Sequence, residues 1–335
     1  MKKQHPAWYK HYKFLWGKTL ITKYQSLAST GDTRPSRFIA STTVIIYMYL
    51  FLGGIIASIP LIYAMVKNPD IIFDPIMQYD VVGFMGKYIN PIVNYIFTNL
   101  SIYFMLFGVF IAVKFIHKRP FGTLLNFTGK LKWGNFFIGF FVFGVLLCAG
   151  TAIDYWRNPE AYSISFDPGK FWLTLPLILI MTPIQTTTEE LVFRGYVIQS
   201  FGLKIKNGMV LSLISGALFT LPHLANPEIY ASSKMGVFST ICMILNYFVV
   251  GLVLAMVTIR TNYLEAAIGA HAVNNLFCFL LVSYPDTAIP TYTVFYTSTL
   301  NPVGGFISTA ITAALFYLIT VFLIKKTDKE VFSAQ

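Results

Sequence analysis

Long runs of apolar residues, broken by short polar stretches, dominate the chain. A run of about 20 such residues matches the thickness of a bilayer when helical. Eight runs qualify: about 38–66, 93–115, 134–153, 171–203, 208–226, 236–259, 263–284 and 303–324. The first and fourth are long enough to tilt or to project past the bilayer. The pattern therefore predicts an all-α, polytopic membrane helix bundle of about eight transmembrane helices with no soluble domain and no internal repeat. The longest connection, 67–91, has room for a short interfacial helix.

Composition agrees. Hydrophobic residues make up 56% of the 335 and charged residues 12%, against roughly 25% charged in soluble globular chains. Mean hydropathy is +0.63. The net charge of +11 first concerns topology. With the N-terminus inside, Lys67, Lys87, Arg157, Lys170 and Lys234 fall in outside loops and Arg194 within a span, while the other 19 of the 25 basic residues fall inside. The acids lean the other way, with Asp70, Asp74, Asp80, Asp154, Glu160, Asp167, Glu228 and Asp286 outside. Under the positive-inside rule this predicts eight spans with both termini cytoplasmic and a multi-pass protein of the cell membrane. Trp156 and Trp172 then sit at the outer interface and Trp133 at the inner one.

Residues 1–37 form a basic cytoplasmic segment whose first part interleaves Lys with Trp8, Tyr9, Tyr12, Phe14 and Trp16. It lacks the apolar core and small-residue cleavage site of a signal peptide and reads as an amphipathic segment on anionic membrane lipid. Nothing resembles a nucleic-acid groove, so no nucleic-acid partner is expected. Cys148, Cys242 and Cys278 sit in apolar runs with no disulfide spacing and read as small apolar residues.

Ionisable residues inside a bilayer are costly and mark functional sites. Here they are Glu189, Glu190, Arg194, His223 and His271, with Asn274 and Asn275 beside them. His5, His11 and His117 lie in basic segments and read as surface residues. Residues four apart share a helix face, and adjacent ones diverge by about 100°. Glu190 can therefore pair with Arg194, leaving Glu189 to face a cavity. Phe219 and His223 share one face, and His271 and Asn275 share another. Glu189 lies 17 residues before Lys206 and His223 17 after it, which gives the two similar depth. His271 is nearer its own cytoplasmic end, and the depths match if the hairpin tip at Lys204 and Lys206 projects into the cytosol. The site is then expected to open toward the cytoplasmic half.

Taken in order, the motifs E-E-x-x-x-R (Glu189, Glu190, Arg194), F-x-x-x-H (Phe219, His223) and H-x-x-x-N (His271, Asn275) resemble those of the CPBP family of intramembrane proteases, which includes CAAX-processing endopeptidases and bacteriocin-processing, Abi-type proteins. The resemblance covers about residues 131–325, leaving spans in 38–130 outside any motif and a cytoplasmic tail at 326–335. It implies an endopeptidase acting on a peptide or protein reached from the membrane or cytoplasmic side. Glu189 with His223 can take a proton from the attacking water. His271 with Asn275 can donate to the oxyanion, and Glu190, Arg194 and Phe219 support them. A zinc ion held by Glu189, His223 and His271 is the other way to activate water, and the spacing does not decide between the two. Prenylated C-termini, peptide pheromones and bacteriocin leaders all fit as substrates. A non-catalytic immunity or scaffold protein binding a peptide or sensor kinase is the alternative. A proton-relay transporter lacks the inverted repeats it would need.

Overall fold

A computed structural model describes residues 23–74 and 81–333. The expected amphipathic segment falls largely outside them, as do His5 and His11. The described chain is helical: α1 (Pro35–Lys67), α2 (Val81–Tyr88), α3 (Pro91–Ile116), α4 (Trp133–Arg157), α5 (Pro168–Phe201), α6 (Gly208–His223), α7 (Pro227–Lys234), α8 (Val237–Thr261), α9 (Glu265–Leu280) and α10 (Pro302–Ser333). Three short strands, β1 (Tyr162–Ile164), β2 (Val282–Ser283) and β3 (Phe295–Thr297), form one small sheet in the order β1-β3-β2.

Helix starts follow local chemistry. Asn90, Asp167 and Asn207 each accept a backbone N–H at the first turn, and Pro91 and Pro168 occupy first helical positions, where no N–H partner is lost. Asn262, at φ 65° in the left-handed region, ends α8.

Among the described residues, six helices are long and apolar enough to cross a membrane, or seven if the bent pair α6–α7 is one span. They carry exposed apolar side chains such as Leu50, Val66, Phe141, Ile180, Leu318 and Phe322, a surface suited to lipid and not to water. The runs expected at 208–226 and 263–284 are shorter as helices. α6 stops at His223 and the chain bends by 82° into α7. α9 has 16 residues, about 24 Å, because the chain turns into β2 just after Leu281. Trp133, Trp156 and Trp172 are exposed near helix ends, as interfacial residues would be.

The basic loops gather at one face. There the 3₁₀ segment Lys23–Thr30 tucks under the bundle: fully buried Tyr24 donates through its hydroxyl to the Leu124 carbonyl at 2.6 Å and through its backbone N–H to Asn262 Oδ1 at 3.1 Å. His117, expected at the surface, is instead 2% exposed. Its Nδ1 lies 2.7 Å from the Asp32 carbonyl and its Nε2 3.1 Å from the Tyr196 hydroxyl. A basic neighbourhood in sequence says nothing about burial by a segment 85 residues earlier.

α4 and α9 cross at glycines. A Cβ on Gly139 would stand 2.0 Å from the Ala266 carbonyl oxygen, and one on Gly269 2.1 Å from that of Phe136. This close approach fixes the helix that carries His271.

Candidate active site

The end of α5 reads TTTEE, and straight after Glu190 the backbone widens into a π-helical stretch, Leu191–Val197. Such a widening often accompanies functional sites. It leaves the i,i+4 pair intact: Arg194 NH1 donates to Glu190 Oε1 at 2.7 Å, both side chains being 0% exposed. Glu190 Oε1 also receives His271 Nδ1 at 2.7 Å. Arg194 NH2 reaches the Gly251 carbonyl at 3.3 Å, and its guanidinium stacks on the Phe219 ring 4.2 Å from the centroid. Glu190 and Arg194 thus bind α5, α6, α8 and α9 into one unit.

Glu189 leaves the helix in another direction and lines a cavity of about 1190 Å³. Its Oε1 accepts from Gln185 Nε2 at 3.3 Å, and its Oε2 lies 3.9 Å from His271 Nε2. His223 and Asn275 line the same cavity. His223 Nδ1 donates to the Phe219 carbonyl at 2.7 Å, which fixes its tautomer and leaves Nε2 as an acceptor. Its ring lies between Phe219, at 4.5 Å, and Tyr247, at 4.6 Å. Asn275 Oδ1 accepts from Asn274 Nδ2 at 3.0 Å, so the Asn275 amide N–H₂ is available as a donor.

The structure therefore brings Glu189, His223, His271 and Asn275 from three helices, α5, α6 and α9, to one cavity wall, with Glu190 and Arg194 behind them and Phe219 as the shared aromatic platform. Gln185 and Tyr247 also belong to this setting and were not anticipated. Gln185 sits four residues before Glu189 on the same face and was legible by that spacing; Tyr247 reaches His223 from α8, and no local pattern announces it. Cys278 lines the cavity, Cys242 is buried and Cys148 is exposed on the apolar exterior.

The residues do not fit a metal as they stand. Among the described residues no three His, Cys, Asp or Glu side chains converge to hold an ion. His271 Nδ1 is held by Glu190, its Nε2 stays free, and Glu189 Oε2 lies 3.9 Å from that nitrogen.

The cavity departs from expectation in its direction. Its lining passes from Glu189 and His271 to Asp154, Arg157, Tyr162 and Asn301, on the face opposite the basic loops.

A family model for the type II CAAX prenyl endopeptidase Rce1-like group matches residues 169–277. That stretch holds Glu189, Glu190, Arg194, Phe219, His223, His271 and Asn275. The uncharacterized protein YyaK of Bacillus subtilis (strain 168) is 34% identical over 254 residues, covering 76% of this chain and 80% of the relative. The chain belongs to the CPBP family. The likeness to YyaK is longer than the Rce1-like segment, so the family relationship takes in more than α5–α9. No solved structure matches. Family membership and the apolar helices together make this a membrane protein of a CAAX-type intramembrane protease family.

Proposed function

We propose that the protein is a multi-pass endopeptidase of the cell membrane that hydrolyses a peptide bond through a water activated by Glu189 and His223. The observation that carries this reading is the convergence of two proton acceptors, Glu189 and the Nε2 of His223, and one amide donor, Asn275, on a single cavity inside an apolar bundle.

The water oxygen attacks the scissile carbonyl carbon while Glu189 takes the water proton, with His223 Nε2 orienting the water. The Asn275 amide donates to the oxyanion. His271 Nδ1 donates to Glu190 Oε1, which turns Nε2 toward the cavity beside Glu189. On collapse the C–N bond breaks, and the proton held by Glu189 passes to the leaving amine. No step here runs through a metal.

The test is quantitative proteomics of membrane peptides from cells carrying the wild-type chain or Glu189→Gln. A peptide ladder that depends on Glu189 is the expected result. Identical peptides in the two strains, with a partner still captured by Glu189→Gln, would point to a scaffold instead.

A further inference from the structure

The water of the hydrolytic step has two acceptors and no donor. Glu189 and the Nε2 of His223 accept from its two O–H groups, and the Asn275 amide serves the oxyanion. A water confined in a protein site makes about two to four hydrogen bonds. One of its lone pairs must aim at the carbonyl carbon, which leaves the other to be met by a donor on the Glu189 side of the wall.

That donor comes from outside the three motifs. Tyr49, on α1, lines the cavity together with Thr98, Ile102 and Met105 of α3. It packs against the main core and stands in a π-helical stretch, Tyr47–Gly53, of the kind that often accompanies functional sites. A close crossing holds α1 there: a Cβ on Gly53 would stand 2.7 Å from the Ser101 carbonyl oxygen of α3. A tyrosine hydroxyl inside a protein usually finds a partner. Among the described residues the Tyr49 hydroxyl has none, and unlike the side-chain oxygens of Asn99 and Gln185 it is not sealed from solvent. The charge of Glu189 reaches it, yet no direct hydrogen bond joins the two. Polar groups that face each other across such a gap in a wet cavity are bridged by water. In that bridge the phenol O–H is the donor, since a carboxylate only accepts.

We propose that Tyr49 is a further catalytic residue, whose hydroxyl donates a hydrogen bond to the water that Glu189 deprotonates and so aims the remaining lone pair at the scissile carbonyl carbon. Tyr49 keeps its own proton throughout. The O–C bond forms, the water proton goes to Glu189, and the phenol stays bonded to the same oxygen in the tetrahedral intermediate. The water's role rests on the protease reading above. α1, which lies outside the Rce1-like match at residues 169–277, thereby becomes part of the site.

The probe is a synthetic peptide spanning a bond whose cleavage in cells depends on Glu189, with a fluorophore and a quencher at its ends, offered to purified full-length protein in detergent. Tyr49→Phe keeps the ring and its packing and loses only the O–H. The expected result is a kcat lower by about tenfold, the worth of one hydrogen bond, with KM and melting temperature unchanged. Thr98→Val, which removes a hydroxyl from the same side of the wall, should leave kcat unchanged. A second measurement needs no substrate. Tyr49→Cys, in a chain whose three native cysteines are changed to alanine, should react faster with a methanethiosulfonate carrying a trimethylammonium group than with one carrying a sulfonate. Glu189→Gln should shrink that preference by about threefold. Undiminished kcat in Tyr49→Phe, a rise in its KM alone, or a loss in Thr98→Val with none in Tyr49→Phe would overturn the proposal. So would a thiol at position 49 that neither reagent reaches, or whose preference ignores Glu189→Gln. Glu189-dependent peptides with an unimpaired Tyr49→Phe would remove this role and leave the protease reading standing. No such peptide from the wild-type chain would remove the protease reading, and the role of Tyr49 with it.

Discussion

Glu189 and Glu190 are neighbours in sequence and do different work, because successive side chains leave a helix about 100° apart. Glu190 is buried against Arg194 and His271, and Glu189 faces the cavity. Removing one partner of a buried pair leaves an uncompensated charge, at a cost of about 3–5 kcal/mol. Arg194→Ala should therefore lower the melting temperature in detergent well below that of Glu189→Gln, which keeps the shape and loses only the proton acceptor. Equal melting temperatures for the two variants would dissolve this division. The i,i+4 spacing made the Glu190–Arg194 pair legible in the sequence. The bond from His271, 81 positions away, was not, since spacing along one helix cannot report what a second helix brings. His117 shows the same limit outside the spans. Burial lowers its pKa; the bond to the Asp32 carbonyl and the charge of the Asp32 carboxylate partly oppose this, while the positive charges of Arg119 and, less, Arg37 lower it further. The unfolded chain, with a histidine near 6.5, then binds the proton first as pH falls. Stability should be full above that value and decline as pH drops toward 5. His117→Gln should flatten this decline, as followed by thermal unfolding across pH.

At the scale of elements, hydropathy found the long helices because lipid demands continuous apolar runs. It missed the boundaries wherever the chain stops being a simple span. The bend after His223 and the early end of α9 depend on Pro227 restarting the chain as α7 and on a three-strand sheet whose pieces, two or three residues each, leave no periodicity to read. The spacing of α4 and α9 was likewise silent in the sequence, as glycines in a membrane helix are common. In the structure Gly139 and Gly269 let the two backbones touch, and small residues serve this role widely between membrane helices. Gly269→Val should push α9 off α4 and displace His271 two residues on. We expect a loss of about 1–3 kcal/mol or more from overpacking and loss of Glu189-dependent cleavage. Gly134→Ala, in the same helix α4 with nothing within 4 Å of the added carbon, should leave both unchanged. Wild-type stability and cleavage in Gly269→Val would show that the crossing does not set the site.

The whole molecule is a bundle whose apolar exterior suits lipid, whose basic end is sealed by buried hydrogen bonds, and whose polar cavity penetrates from the other end to the depth of Glu189. That arrangement bears on the choice between a water activated by side chains and one held by zinc. A tetrahedral zinc site needs three protein ligands at about 2.0–2.2 Å from the ion, and ligating histidines are oriented by partners on their other nitrogen. His223 and His271 do have such partners, the Phe219 carbonyl and Glu190, and both could present Nε2. What the described residues lack is convergence of a third ligand; Glu189 instead lies within reach of Gln185. In the side-chain mechanism, purified active protein holds no stoichiometric metal and keeps its activity in chelator. Asn275→Ala then slows turnover by about 10²–10³ with substrate binding kept, as loss of one oxyanion donor does. His223→Ala abolishes turnover without changing metal content. Elemental analysis of the active preparation, paired with activity before and after chelation, decides the matter. One zinc per chain, with activity lost on chelation and restored by zinc, would mean that the helices draw Glu189, His223 and His271 together around the ion, and would replace the water-activation step while leaving the peptide-hydrolysis assignment in place.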